Sequence, residues 1–472
     1  MDSKVKELLT NSFFFTLASL GSKILVFLMM PFYTYILSPS EYGVAGIVQT
    51  IATLLLPLMT AKIQDAVLRF CFINGINRLQ VFSIGMKVSL MGVFATIILA
   101  VVFGFLPLFD ELHGYMIFIP LTVFSTSMFY LMSHFSRGIG NVKQSAVSGV
   151  LSTFVVVTLN ILFLLWLRLG VIGYLLSYVI ADLVAVAYLI YSSKLYKYIT
   201  VHSDKVLVRQ MLAFSLPLVP TSLSWWLLSS FNNFYILSVL GVSAVGLYAA
   251  AMRIPSILTV LSDIFSQAWL LSALKNYGSE ESKIFIKAVH RKFFAMLSFM
   301  TGGITLLTYP IAKLLLSGEF LNCWKIIPLL FVSVFWGGLV GFYGSIFSAE
   351  NKTAIQMVST MAGALVSILV VVLFLERFGL AVVSASITIG YFVVWLIRKL
   401  ILRQYIDIGM STLECLFQGC FLTGISVLVS HELYWFAALV YLLLLMINHV
   451  ELLSISHFFL KEFAIYIKQN KL

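Results

Sequence analysis

The sequence predicts an all-α polytopic membrane protein of about fourteen transmembrane helices, arranged as two parallel six-helix bundles with two further helices behind them. Three observations predict it. The 472 residues are 61% hydrophobic and only 10% charged, whereas soluble domains carry about a quarter charged residues. Apolar runs of about 17 to 28 residues recur along the chain, each long enough to cross a hydrocarbon core roughly 30 Å thick as a helix. The second half of the chain also repeats landmarks of the first.

The expected spans are 10–37, 44–63, 82–108, 115–136, 145–167 and 171–192, then 211–238, 244–271, 293–316, 326–347, 354–375 and 379–400, and finally 413–430 and 433–453. Span 1 follows Lys4 and Lys6 as a signal peptide would, but its apolar run continues past Lys23 to Leu37, so it is expected to stay as a span. Only Glu41 stands between spans 1 and 2, Asp110 and Glu111 between 3 and 4, no charge between 7 and 8, and Glu432 between 13 and 14. The alternate loops are basic. They hold Arg69, Arg78 and Lys87; Arg137 and Lys143; Lys194, Lys197, Lys205 and Arg209; Lys275, Lys283, Lys287, Arg291 and Lys292; and Arg398, Lys399 and Arg403. Cytoplasmic loops retain positive charge, so both termini are expected in the cytoplasm. The division that follows is a first bundle over 1–200, a second over 201–405, and two helices with a cytoplasmic tail over 406–472.

The net charge of +11 is then topology and attraction to anionic headgroups, and it does not call for nucleic acid. Cys71, Cys323, Cys415 and Cys420 form no CxxC pair and read as small core residues, with no metal site. No HExxH or GxSxG is present and no outer loop exceeds about ten residues, which leaves no catalytic constellation.

The repeat is visible as Tyr35-Ile36-Leu37-Ser38, which returns as Tyr235-Ile236-Leu237-Ser238, each copy followed by a glycine, Gly43 and Gly246. Lys143 to Lys352, Arg168 to Arg377 and Gly170 to Gly379 share one offset of about 209 residues. Six spans per half is an even number, so the halves enter the membrane in the same sense and the repeat is parallel, as in transporters that rock two bundles about a central site.

Polar residues at helical spacing mark a cavity or a protein contact rather than lipid. Span 1 carries Ser12, Thr16, Ser19 and Lys23; span 2 carries Thr50, Thr53, Thr60 and Gln64; span 7 carries Ser215, Ser222, Ser229 and Asn233; span 8 carries Arg253, Asp263 and Gln267. Lys23 lies about 13 residues from either end of its span, where a charge costs about 2.5 to 3.5 kcal/mol unless water or a counter-ion receives it. It reads as an anion-binding cation, the competing reading being a structural pair with Asp65 or Asp182. Arg253, backed by Pro255, could fork a phosphate if it faces inward, or snorkel to the interface if it does not. Each half would thus give one cation. Asp182 and Asp263 are candidates for a coupling ion or proton, against the plainer reading of hydrogen bonds to neighbouring Ser or Tyr. Arg69 and Arg137 stand at cytoplasmic mouths as topology charges or admission ligands, and Asn160 and Asn232 as helix-to-helix hydrogen bonds.

The run Lys23-Ile24-Leu25, Pro31-Phe32-Tyr33-Thr34 and Glu41-Tyr42-Gly43, then Arg137-Gly138 with Asn141, then Gly246-Leu247-Tyr248 and Ala251-Met252-Arg253-Ile254-Pro255 resembles the Wzx-type polysaccharide flippases of the MOP (multidrug/oligosaccharidyl-lipid/polysaccharide) exporter superfamily. The resemblance covers nearly the whole chain. It implies a V-shaped pair of bundles with alternating access, and it implies a function, not an enzyme activity. That function is flipping undecaprenyl-pyrophosphate-linked oligosaccharide units of O-antigen, capsule or exopolysaccharide across the bacterial inner membrane for lipopolysaccharide or related biosynthesis. The cavity cations carry over to Lys23 and Arg253. Trp225 and Trp226 would stack on sugars, and Na+ or H+ would couple transport, with no other cofactor. A polysaccharide polymerase and a chain-length regulator would be partners, beside membrane lipids. The rival readings are a lipid II or sporulation-type flippase, a MATE-type drug antiporter, which would want an acidic cavity, and, from another class, a membrane polymerase or ligase, which would want a large outer loop.

Overall fold

The computed structural model describes residues 21, 24–73, 75–104, 107–198, 204–262, 265–266, 280–349, 352–404, 408–454 and 456. They are all-helical, with no strand among them. The helices are α1 (Met30–Ile36), α2 (Pro39–Met59), α3 (Ile63–Phe70), α4 (Arg78–Phe103), α5 (Phe118–Gly138), α6 (Val142–Asn160), α7 (Gly170–Ser192), α8 (Lys205–Ser215), α9 (Leu218–Leu240), α10 (Val242–Arg253), α11 (Glu280–Leu306), α12 (Thr308–Leu315), α13 (Ile327–Ala349), α14 (Thr353–Phe378), α15 (Leu380–Leu402), α16 (Thr412–Ser430) and α17 (Tyr434–Ile447). Ten helical stretches of the described residues are long and apolar enough to cross a membrane, or up to twelve if two bent pairs each count as one span. One bend of 42° follows Arg253, where Pro255 cannot donate to the helix ladder. Two shorter apolar helices, Ile24–Ile36 and Tyr434–Ile447, fall at the first and last expected positions. The chain is thus a multi-pass membrane protein, and its described residues hold ten to twelve of the fourteen expected spans at full length.

Local sequence explains the helix starts. Ser38 caps α2 through a reciprocal pair with Glu41, and Pro39 sits at the first helical position, where its missing N–H costs nothing. Ser411 and Glu414 cap α16 in the same way, and Asn77 and Asp204 cap α4 and α8. In the first copy of the repeated tetrapeptide, Tyr35 and Ile36 therefore end α1, Leu37 is its C-cap and Ser38 caps α2. The second copy lies inside α9, which ends at Leu240.

Contact density divides the chain into two units: Met1–Ala250 with Leu316–Phe320, and Ala251–Leu315 with Leu321–Leu472. In the first unit, α3 is an amphipathic helix whose Ile63, Ala66, Val67 and Phe70 are buried against Phe82, Leu131, Phe135 and Met211. α2 and α10 cross in the same unit with their backbones touching. A Cβ added to Gly43 would lie 2.0 Å from the Val242 carbonyl oxygen, and one added to Gly246 would lie 1.8 Å from that of Pro39. Only hydrogen fits at either position. In the second unit, α13 packs on α15 through Trp336 and Trp395, with ring centroids 4.6 Å apart, and Gly419 of α16 lies on the Trp336 ring.

Candidate functional site

Of the expected cavity residues, Ser19, Lys23, Asp263 and Gln267 lie outside the described residues. The others are placed as follows.

Thr50 on α2 joins that helix to α9. Its carbonyl accepts from Trp226 Nε1 at 3.2 Å, and its hydroxyl accepts from Asn233 Nδ2 at 2.9 Å while donating to the Gly46 carbonyl at 2.7 Å. Spans 2 and 7 are thus brought together by the polar stripes that mark them in the sequence. Trp226 is buried by this contact and has no free face for a sugar; Trp225, one residue earlier, is 38% exposed. Ser222 and Thr53 return their hydroxyls to their own helices, at Leu218 and Thr50, and Gln64 is buried within 3.4 Å of the Thr60 hydroxyl.

Asp182 sits two helix turns beyond Tyr174 on α7. Its Oδ2 accepts from Thr126 Oγ1 at 2.9 Å and Ser125 Oγ at 3.4 Å, both on α5. Among the described residues it therefore meets hydroxyls, which can bond the carboxylate and leave it able to take up a proton or a small cation. Close by in sequence, Tyr174 donates to the Tyr178 hydroxyl at 3.4 Å. The Tyr174 ring stacks edge-on against Tyr33 and Tyr42, with centroids 5.2 and 6.0 Å apart, and the Tyr33 hydroxyl accepts from Asn160 Nδ2 at 3.1 Å. Asn160 thus bonds between helices. Asn232 differs from expectation: it is buried, and its amide finds no hydrogen-bond partner among the described residues. Asn233, about 100° further round the helix, occupies the crossing instead.

At the basic end of the first unit, Asp65 lies 3.0 Å from Lys62 Nζ and 3.4 Å from His134 Nε2. Burial pushes its carboxyl up, but the His134 hydrogen bond and the Lys62 ammonium outweigh burial and hold it below the usual carboxylate value. Arg137 is half-buried nearby, and Arg69 is exposed with its guanidinium 4.2 Å over the Phe214 ring. The Cys71 thiol is pushed up to about 12 by burial, as an inert core residue would be.

In the second unit, Arg253 closes α10 with a partly buried side chain, and its carbonyl accepts from Ser256 Oγ across the bend. Arg398 differs most from its reading as a topology charge. It is 1% exposed, and its guanidinium donates to the Val340 carbonyl at 2.7 Å, Ser359 Oγ at 3.0 Å, Thr360 Oγ1 at 3.1 Å and the Gln356 carbonyl at 3.3 Å. The signal for it in the sequence is Gln356, Ser359 and Thr360, spaced three and four apart on the facing span.

The sequence matches the family described as polysaccharide biosynthesis protein over residues 8–270, more than half of its length. No curated protein matches it. Among solved structures it is similar to an inward-facing multidrug resistance MATE family transporter of the MOP superfamily, at 16% identity and a TM-score of 0.68 over 83% of this chain and 94% of that one. It is also similar to the lipid II flippase MurJ in an inward closed conformation, at 14% identity and a TM-score of 0.66 over 95% and 99%. A third likeness is to a MOP superfamily transporter from Pyrococcus furiosus whose binding pocket has reversed polarity, at 16% identity and a TM-score of 0.52 over 85% and 92%. The chain belongs to the polysaccharide biosynthesis protein family, and it has the fold of the MOP superfamily transporters.

Proposed function

We propose that the protein is a flippase that carries undecaprenyl-pyrophosphate-linked oligosaccharide units of O-antigen, capsule or exopolysaccharide from the cytoplasmic to the periplasmic leaflet by alternating access. The observation that carries this reading is the family match over residues 8–270 joined to a transporter fold. On this reading the pyrophosphate is held by Lys23 and Arg253. A dianionic group entering a low-dielectric cavity needs fixed cations. The hydroxyls of Thr53 and Ser222, which are not buried, hydrogen-bond the glycan, Gln64 and Asn233 being engaged within the protein, and Trp225 offers the exposed aromatic face. Asp182, bonded only to hydroxyls among the described residues, is the group to exchange a proton or Na+. The basic loops face the cytoplasm, and a polymerase with its chain-length regulator would consume the product.

The test is to delete the gene in a strain with no redundant flippase and to determine which leaflet holds the lipid-linked oligosaccharide. Accumulation on the cytoplasmic side is expected. Normal periplasmic delivery would sink the proposal, and accumulation of a peptidoglycan precursor instead would reassign the cargo.

A further inference from the structure

A cavity of about 1180 Å³ opens at the basic end of the second unit. Its walls come from the first turns of α11, the last turn of α15, the segment 408–414 that opens α16, and Glu451 beyond α17. Five cations line it, Lys287, Arg291, Lys292, Lys399 and Arg403, against two acids, Glu414 and Glu451.

Both acids are engaged, Glu451 by Arg291, a cation of the basin itself. Glu414 Oε2 accepts from the Ser411 N–H at 2.7 Å as a helix cap, and Glu451 lies 3.9 Å from Arg291. Two of the cations build the wall: Arg291 Nε donates to the Gly409 carbonyl at 2.8 Å, and Lys399 Nζ, on a side chain only 2% exposed, donates to the Met410 carbonyl at 2.7 Å. The Lys287 stem packs on Gly409, while Lys292 and Arg403 are exposed and their side chains make no ion pair or hydrogen bond among the described residues. The result is a positive basin with a rigid floor. Its rim is apolar and open, with Ile284 71% and Leu413 77% exposed.

We infer that this basin is a binding site for the phosphate of a membrane lipid, with Lys287, Lys292 and Arg403 holding the anion over the floor made by Lys399 and Arg291, and with Ile284 and Leu413 seating the chains. A soluble phosphate would make no use of the apolar rim; a lipid-anchored one uses both. The phosphate can belong to a glycerophospholipid or to a polyprenyl phosphate, and the site does not depend on which glycan the protein carries.

The test is native mass spectrometry of the delipidated full-length protein in detergent, titrated separately with phosphatidylglycerol, phosphatidylcholine and undecaprenyl phosphate. Wild type should retain phosphatidylglycerol over the zwitterionic lipid. The variant Lys287→Gln/Lys292→Gln/Arg403→Gln should lose about tenfold in retention, and Arg403→Gln alone, at an exposed position, about threefold. The pair Lys194→Gln/Lys197→Gln in the first unit should lose nothing. Competition by undecaprenyl phosphate identifies the polyprenyl source, and its absence identifies the glycerophospholipid. Equal retention by wild type and both basin variants, or an equal loss in the control pair, overturns the assignment.

Discussion

Thr50 shows how much one side chain in a membrane helix can be asked to do. Its hydroxyl donates to its own helix and accepts from Asn233, and its carbonyl accepts from Trp226. Interhelical hydrogen bonds within bilayers are worth about 0.6 kcal/mol on average and at most about 1.7. Asn233→Ala should therefore lower the thermal unfolding midpoint in detergent only slightly, whereas Asn233→Asp, which puts a carboxylate where an amide donates, should lower it more. Asp65 makes a separate prediction, because its carboxyl titrates below its unfolded value. A group depressed in this way contributes stability that is present above the unfolded pKa and lost as pH falls through the folded one. The stability difference between wild type and Asp65→Asn should accordingly be flat near neutrality and shrink below about pH 4. A difference that grew on acidification would contradict the ion pair with Lys62.

Between helices, the decisive feature is the crossing of α2 and α10. Gly43 and Gly246 follow the two copies of the repeated tetrapeptide, so the sequence pairs them as equivalents, and the structure brings those equivalents into backbone contact. Gly246→Ala would place a methyl carbon 1.8 Å from a carbonyl oxygen that belongs to rigid helix and cannot yield as a side chain would. A loss of about 1 to 3 kcal/mol, read as a lower unfolding midpoint, is expected. Gly149→Ala, with nothing within 4 Å, should be neutral or slightly stabilising in the same assay. The other repeat landmarks are conformational too. Gly170 and Gly379 both take left-handed backbone, with φ of +53° and +60°, at the start of α7 and α15. Side-chain partners were less legible. The polar stripe of span 7 reads as cavity lining and Asn232 as the helix-to-helix contact, yet Asn233 makes that contact, because the choice depends on a rotation of about 100° that no sequence period resolves.

For the molecule as a whole, the proposed transport predicts that Lys23→Ala and Arg253→Ala abolish delivery of lipid-linked oligosaccharide while protein remains in the membrane. Arg168→Ala, at an exposed turn residue, should do little. Leaflet-resolved labelling of the glycan, alongside membrane protein levels, separates loss of function from loss of fold. Full transport by both cation variants would remove the pyrophosphate site without touching the family or the fold.

By itself the sequence determined the membrane class, the helical build, the position of most spans and the repeat. Those follow from the cost of exposing backbone to lipid and from periodicity along one dimension. Only the tertiary structure decided which polar groups are spent. Trp226 turned out to be a buried donor rather than a sugar platform, and Arg398, which looks like any flanking charge in one dimension, became the centre of a four-bond network. It also collected Lys287, Lys292, Lys399 and Arg403, scattered over more than a hundred residues of sequence, around one basin. Burial and partnership are properties of helix rotation and packing, and the charge count of a loop carries neither.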